Sequence, residues 1–431
     1  MKVADINKDN IRLSGVATKV GPLLAVVGIV SLGISAWLGS CEWTTFWKSY
    51  LFAWMVAVGI ALGAMFFVLL QHMTRSGWSI TVRRLAEAMT KNLKWMWILF
   101  VPILVLVIKG NGDLLYQWGN AELMEHDHLL HKKATYLSPT FWSARAIFYL
   151  LAWAVIASLY FRWSTAQDND GDVKWTHKMQ KWAPICMILY AFTQSYAAID
   201  WMMTLQPKWF STMFPVYFWS ATMAGFFAMM ILLARYLQKT GHIQKSITTE
   251  HYHDLGKWLF GLGVVFWAYI AFSQYMLIWY ANLPVETGWY ITRQLGGWAP
   301  ISLILLFGHF LIPFILLITR WTKRWRSTLP LIAAWMVLMF FVDIYWLVFP
   351  MIPETAIADA TSYNQLASWV TNGDVSVGYG FSLVNFTCLI GVFALFCGGT
   401  MINLRSCNLV ASADPRLDEA LHFENCIRFT L

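Results

Sequence analysis

Ten apolar stretches, each long enough to cross a lipid bilayer, run along this chain of 431 residues, and the positive charges between them fall almost entirely on one side. A membrane-crossing helix needs about 20 largely apolar residues to traverse a hydrocarbon core of about 30 Å. We place the spans at 20–38, 47–70, 93–108, 141–163, 182–205, 213–237, 258–280, 298–318, 329–349 and 379–404. Charged residues make up 13% of the chain and apolar residues 58%, whereas roughly a quarter of an ordinary soluble domain is charged. The expected fold class is therefore all-α, a polytopic integral membrane protein. The polar segment 1–19 precedes the first span without a small-residue cleavage site, so that span is expected to be retained.

Alternate loops counted from the N-terminus hold 24 Lys and Arg on the side of the termini and 6 on the other, with Arg145 inside a span. By the positive-inside rule both termini are expected to be cytoplasmic. The net charge of +8 follows from that bias and requires no nucleic-acid partner. The expected organisation is a cytoplasmic segment 1–19, a ten-helix membrane domain 20–404 and a cytoplasmic tail 405–431.

Six cysteines, Cys41, Cys186, Cys388, Cys397, Cys407 and Cys426, form no C-x-x-C or C-x-x-C-H pattern. Neither an iron–sulfur ligand set nor covalent c-type haem is expected, so redox chemistry would need a diffusible cofactor or a partner's metal. His126, His128 and His131 lie near Glu125 and Asp127, but their spacing does not put three imidazoles on one helical face. The outer loop 111–139 mixes leucines with acids and histidines, as an amphipathic surface element would. The outer loop 352–378 carries Glu354, Asp359 and Asp374 without Lys or Arg, which suits either a docking surface or a solvated loop.

An ionisable side chain inside a span costs a few kcal/mol by insertion scales, so such residues are functional candidates by default. Four stand out: Arg145, Asp200, His309 and Asp343. Arg145 and Asp200 lie at matching depths on consecutive spans near their outer ends, which makes an ion pair geometrically feasible. Tyr196 precedes Asp200 by one turn and Thr193 lies a turn earlier, forming a polar stripe that either conducts protons inward or supplies interhelical hydrogen bonds. Asp343 lies in the outer half of the ninth span and His309 near the middle of the eighth, where an imidazole is suited to proton exchange or to a buried hydrogen bond. Phe192-Thr193-Gln194 and Phe272-Ser273-Gln274, followed by Trp201 and Trp279, read as a partial repeat of the fifth and seventh spans. Gln194 and Gln274 suit a quinone carbonyl or an interhelical bond.

Several longer segments resemble a known family. They are Leu130-His131-Lys132-Lys133 with Tyr136-Leu137-Ser138-Pro139, Phe141 and Arg145; Gln167-Asp168; and Asp200-Trp201-Met202-Met203 with Pro207-Lys208-Trp209-Phe210-Ser211-Thr212. The run from Gln274 to Asn282 with Pro284 and Glu286, and the tail from Asp414 to Leu421, complete the set. From about residue 50 onward the chain is similar to the membrane F subunit of bacterial alternative complex III, within the wider NrfD and polysulfide-reductase anchor group.

The resemblance implies two four-helix bundles flanked by further spans. It also implies a place in a quinol:cytochrome c, or quinol:electron acceptor, oxidoreductase of the bacterial inner membrane. Haem and iron–sulfur clusters would sit in partner subunits only: a multihaem cytochrome c subunit and an iron–sulfur subunit, beside a paralogous quinol-binding subunit and small membrane subunits. This chain would then support quinone interaction or proton translocation without redox metals of its own, with Arg145, Tyr196, Asp200, His309 and Asp343 as the candidate proton path. The alternatives are a purely structural anchor for periplasmic redox subunits and a stand-alone secondary transporter.

Overall fold

The computed structural model describes residues 2–360, 362–378 and 380–424. Tyr379, Cys426 and Arg428 lie outside the described residues, as does the side chain of Glu354. Among the described residues ten membrane-length helices are present: α1 Ala17–Gly39, α2 Trp43–Met73, α3 Ile80–Ile108, α4 Pro139–Asp170, α5 Lys174–Leu205, α6 Phe214–Lys239, α7 Thr249–Ala281, α8 Trp298–Ile318, α9 Thr328–Val348 and α10 Leu383–Arg405. No strand occurs among the described residues; an isolated antiparallel bridge between Arg12 and Asn408 brings the two terminal segments together on one face. We call this the terminal face and the opposite one the far face.

The chain is an all-α, multi-pass membrane protein. Helices α2 to α5 close into one four-helix bundle and α6 to α9 into a second, with α2 packed against both; α1 and α10 flank the first bundle. Residues 50 to 65 of α2 are buried without a break. This helix is apolar on all sides because protein surrounds it on all sides.

The helices extend beyond their apolar stretches wherever the chain supplies an end signal. Ser138 caps α4, its hydroxyl accepting from Phe141 N–H, with Pro139 in the first turn, and Gly171 at φ 69° stops it. At α7, the Thr248 amide donates to His251 Nδ1 at 3.1 Å, so the helix starts at Thr249, well before the apolar run at 258.

Helix α3 departs furthest from the sequence reading. It begins at Ile80 and bends at 91–92, so the polar stretch expected to be loop is a buried helix. Its charges are matched internally: Arg83 meets Glu87 at 3.2 Å and Asp414 at 2.7 Å, and Arg84 meets Glu87 at 3.1 Å and Asp168 at 2.9 Å. The C-terminal tail is thereby locked onto the membrane domain. The N-terminal segment is locked as well, through the Asp9 carboxylate, which accepts from the Lys245 and Ser246 amides at 2.9 and 2.7 Å.

Helices α1 and α10 meet backbone to backbone. A Cβ on Gly28 would lie 2.8 Å from the Gly391 carbonyl oxygen, and one on Gly398 would lie 2.9 Å from that of Gly21. Two glycines, two turns apart on each helix, create this close approach, the usual means by which membrane helices gain packing where lipid supplies no hydrophobic drive. Ser31 adds a 2.8 Å hydrogen bond to the Thr387 carbonyl. Gly391→Leu is expected to separate α1 from α10 and expose the 20–38 region to limited proteolysis in detergent, leaving the two bundles folded. Unchanged cleavage kinetics would contradict this packing.

Candidate functional site

Two buried carboxylates stand near the far face, each on the last helix of its bundle: Asp200 on α5 and Asp343 on α9. Their surroundings differ in kind.

Asp200 is held as a fixed ion. Arg145 on α4 approaches it with both arms of its guanidinium, Nε to Oδ2 at 2.8 Å and Nη2 to Oδ1 at 3.0 Å. Tyr136 donates its hydroxyl to Oδ1 at 2.8 Å and Tyr149 donates to Oδ2 at 3.0 Å. Four donors therefore occupy the acceptor positions of an ionised carboxylate. The guanidinium lies 3.9 Å from the centre of the Tyr136 ring and 4.5 Å from that of Phe141, adding cation–π attraction on a partly desolvated charge. Trp142 Nε1 and Thr204 Oγ1 both donate to the Asp200 backbone carbonyl, at 2.9 and 2.6 Å, which fixes the end of α5.

The segment before α4 closes over this end. It carries the short helices Ala121–His126 and His128–Lys133. Asp127 caps the second and meets Lys208 at 2.5 Å, and Lys133 Nζ donates to the Pro207 carbonyl at 2.6 Å. This segment is the amphipathic element expected on the surface, with Leu130 buried and Leu123 and Leu129 exposed.

Asp343 is bound by neutral donors alone. Tyr217 on α6 donates to Oδ1 at 2.6 Å and Trp267 on α7 donates to Oδ2 at 2.8 Å. Both Asp343 and His309 have 0% of their surface exposed, and His309 Nδ1 lies 4.0 Å from Asp343 Oδ2. No Lys or Arg forms an ion pair with Asp343 among the described residues. His309 Nε2 faces the Gly263 carbonyl at 3.2 Å and must carry a proton to bond it. Nδ1, without a hydrogen-bond partner, then faces the carboxylate. One further proton in that gap makes the site either a neutral acid beside a neutral imidazole or a carboxylate beside an imidazolium. The imidazole stacks on Trp267 with ring centres 4.0 Å apart and planes 2° from parallel, which fixes the orientation of the ring.

The backbone is unusual at this second site. Leu259–Phe266 in α7 and Leu305–Leu311 in α8 are π-helical. Such segments are rare and frequent at functional positions, because the wider turn loosens the regular ladder of carbonyls. A glycine in each segment offers its carbonyl to a side chain of a neighbouring helix: Gly263 to His309 at 3.2 Å, and Gly308 to Trp335 Nε1 at 2.7 Å. At Gly263 a Cβ would fall 2.7 Å from Ala224 Cα, so only glycine allows α6 and α7 this close.

The structure thus divides the four ionisable residues of the spans into two sites, Arg145 with Asp200 and His309 with Asp343. Tyr196 belongs to neither. It is 46% exposed on the outer side of α5, while Thr193 accepts from Trp153 Nε1 at 2.9 Å in the interior, so the expected stripe does not continue through it. Gln194 donates to the Pro215 carbonyl at 3.3 Å; Gln274 accepts from Ser211 at 3.3 Å and donates to the Tyr290 hydroxyl at 3.2 Å. Both amides are buried and spent on interhelical bonds. Their fit to a quinone is poor, and no quinone step is derived through them. The partial repeat also diverges in packing: Trp201 is buried against Trp54 and Phe100, whereas Trp279 faces outward.

Tyr136, Tyr149, Tyr217 and Trp267 were missed by sequence reasoning, because a phenol or indole in an apolar span is indistinguishable from packing until its partner is known. Their signal was helical spacing: Tyr149 follows Arg145 by four residues. Comparison with protein-family models and with curated proteins finds no match for this chain. What fold and site together define is a polytopic helical membrane protein with two differently compensated buried carboxylates.

Breaking the first site should be costly. Arg145→Gln leaves a buried carboxylate without its cation and is expected to lower stability by about 3–5 kcal/mol. Adding Asp200→Asn to that variant should restore most of the loss, as followed by thermal unfolding in mild detergent. A double variant no better than the single one would refute the ion-pair account.

Proposed function

We propose that this chain is the metal-free membrane subunit of a respiratory quinol-oxidising complex of the alternative complex III kind, in which the second bundle holds and passes a proton. The observation that carries the proton reading is the Asp343–His309 couple. A carboxylate in a span costs about 2.5–3.5 kcal/mol on insertion scales; here it is retained beside a titratable imidazole instead of a fixed cation. A structural pin needs a permanent charge, as Arg145 supplies to Asp200. A proton-exchanging site needs a partner that changes state. Tyr217 and Trp267 keep the carboxylate in place while the proton passes between Oδ2 and Nδ1, across a 4.0 Å gap that closes by side-chain approach or one bridging water.

The place in a quinol-oxidising complex rests on the sequence segments that resemble the F subunit, and the two-bundle architecture agrees with it. On this reading quinol oxidation belongs to the paralogous subunit, and the haems and iron–sulfur clusters to extramembrane partners. The resemblance supports a bacterial inner-membrane setting, and the Lys and Arg bias supports the terminal face in the cytoplasm, which puts both carboxylates near the outer surface.

A second reading, a structural anchor, is favoured by the first site alone, where every acceptor position of Asp200 is filled. One experiment separates the two. Asp343→Asn and His309→Gln are introduced into the intact complex, purified with its partners and reconstituted in liposomes. The proton reading expects normal assembly and haem content with a clear fall in protons moved per electron. Unchanged stoichiometry in both variants would leave the anchor. Absence of haem and iron–sulfur subunits from the purified wild type would remove the complex itself.

A further inference from the structure

Beside the second site a cavity of about 960 Å³ lies between α7 and α8, at the upper end of the volumes typical of small-molecule sites. Its walls are mostly aromatic and aliphatic, and Tyr269, Phe272, Leu303 and Leu306 on its rim are exposed on the outer sides of the two helices. It therefore opens sideways, toward lipid. At its far-face end stands Arg293, on the short helix Pro284–Gln294 that joins α7 to α8.

Arg293 is a buried cation without a counter-ion. Only 1% of it is exposed, and it forms no ion pair among the described residues. It donates to three backbone carbonyls, those of Trp289 at 2.9 Å, Trp346 at 3.2 Å and Leu347 at 3.2 Å. A guanidinium has five N–H donors, so one on each terminal nitrogen remains. Its face lies 3.5 Å from the Trp289 ring centre, which holds the planar fork in position. Burial pushes the group down to about 9, still a cation at neutral pH. The Tyr290 hydroxyl, which accepts from Gln274 and also lines the cavity, keeps its own proton to donate.

We propose that this cavity binds one anionic phospholipid, its phosphate taken by Arg293 and Tyr290 and its acyl chains lying along the aromatic groove between α7 and α8. Three features combine to select that class. The lateral opening admits a molecule already in the bilayer, the aromatic walls accept hydrocarbon, and the uncompensated guanidinium requires a negative head. A quinone carbonyl accepts a hydrogen bond but leaves the buried charge unmatched, and a zwitterionic phospholipid brings its own ammonium beside the phosphate, so it adds no net negative charge. The depth agrees, since the helix bearing Arg293 lies at the ends of the spans where headgroups are found. The inference is independent of the proton reading and requires only that the chain reside in a bilayer.

Native mass spectrometry of the purified full chain with its co-extracted partners tests it, after detergent delipidation and titration with phosphatidylglycerol or phosphatidylcholine of identical chains. Wild type should retain one phosphatidylglycerol with about a fivefold preference, the factor one basic side chain gains from a net negative lipid. R293Q should abolish the preference, R293K should keep part of it, and Ala271→Trp, which fills the groove, should lose both lipids. If R293Q does not fold, R293K and Ala271→Trp still decide the matter. Equal retention of the two lipids by wild type overturns the proposal, as does a menaquinone that displaces phosphatidylglycerol and binds R293Q as tightly as wild type.

Discussion

Inside hydrocarbon there is no water to receive a polar group, so each buried charge in this chain has to find its match on another helix, and those matches govern how the helices meet. Asp200 ties α5 to α4 through Arg145 and Tyr149; Asp343 ties α9 to α6 and α7 through Tyr217 and Trp267. On the terminal face, Arg83 and Arg84 join α3 to the tail and to α4 through Asp414 and Asp168. Apolar packing between helices has little advantage over packing against lipid. The polar matches and the glycine contacts of α1 with α10 are accordingly what give the arrangement its specificity.

The two far-face carboxylates show how the same problem can be met in opposite ways. Asp200 has four donors, two of them from the permanent cation Arg145. Asp343 has two donors, each neutral, and a histidine whose free nitrogen is 4.0 Å away. The π-helical turns explain how the second arrangement is reached: the Gly263 carbonyl, presented by the wider turn, takes the Nε2 proton of His309 and so aims Nδ1 at the carboxylate. The wider turn sets the direction of that carbonyl and, through it, the orientation of the imidazole.

Much of the architecture was legible in the sequence because span length and charge bias are consequences of bilayer thickness and of the cost of charge in lipid. The ten spans and the Arg145–Asp200 pair follow from hydropathy and from counting residues at 1.5 Å of rise. Helix ends were legible only in part, because polar residues such as Arg83, Arg84 and Glu87 remain helical once their charges are matched inside the protein. The histidine at 309 was visible as a candidate, but its pairing with Asp343 was not. The pairing depends on two π-helical turns and on stacking against Trp267, and neither leaves a periodic trace in an apolar run.

Arg293 shows the same limit most sharply, since a residue assigned to an outer loop proves to be among the most deeply buried side chains. The sequence shows an arginine between aromatic residues at the mouth of a span, the ordinary composition of an interfacial belt. Burial changes its meaning. A surface arginine in the headgroup region is matched by water and lipid at no cost to the fold, whereas this one is met by the Trp289 carbonyl, the carbonyls at the end of α9 and the rings of Trp289 and Trp346. Helix-end carbonyls carry about half an elementary charge in total, which cannot balance a full cation out of water. The remaining charge has to come from a molecule that enters by the lateral opening, and the bilayer itself is the nearest supply.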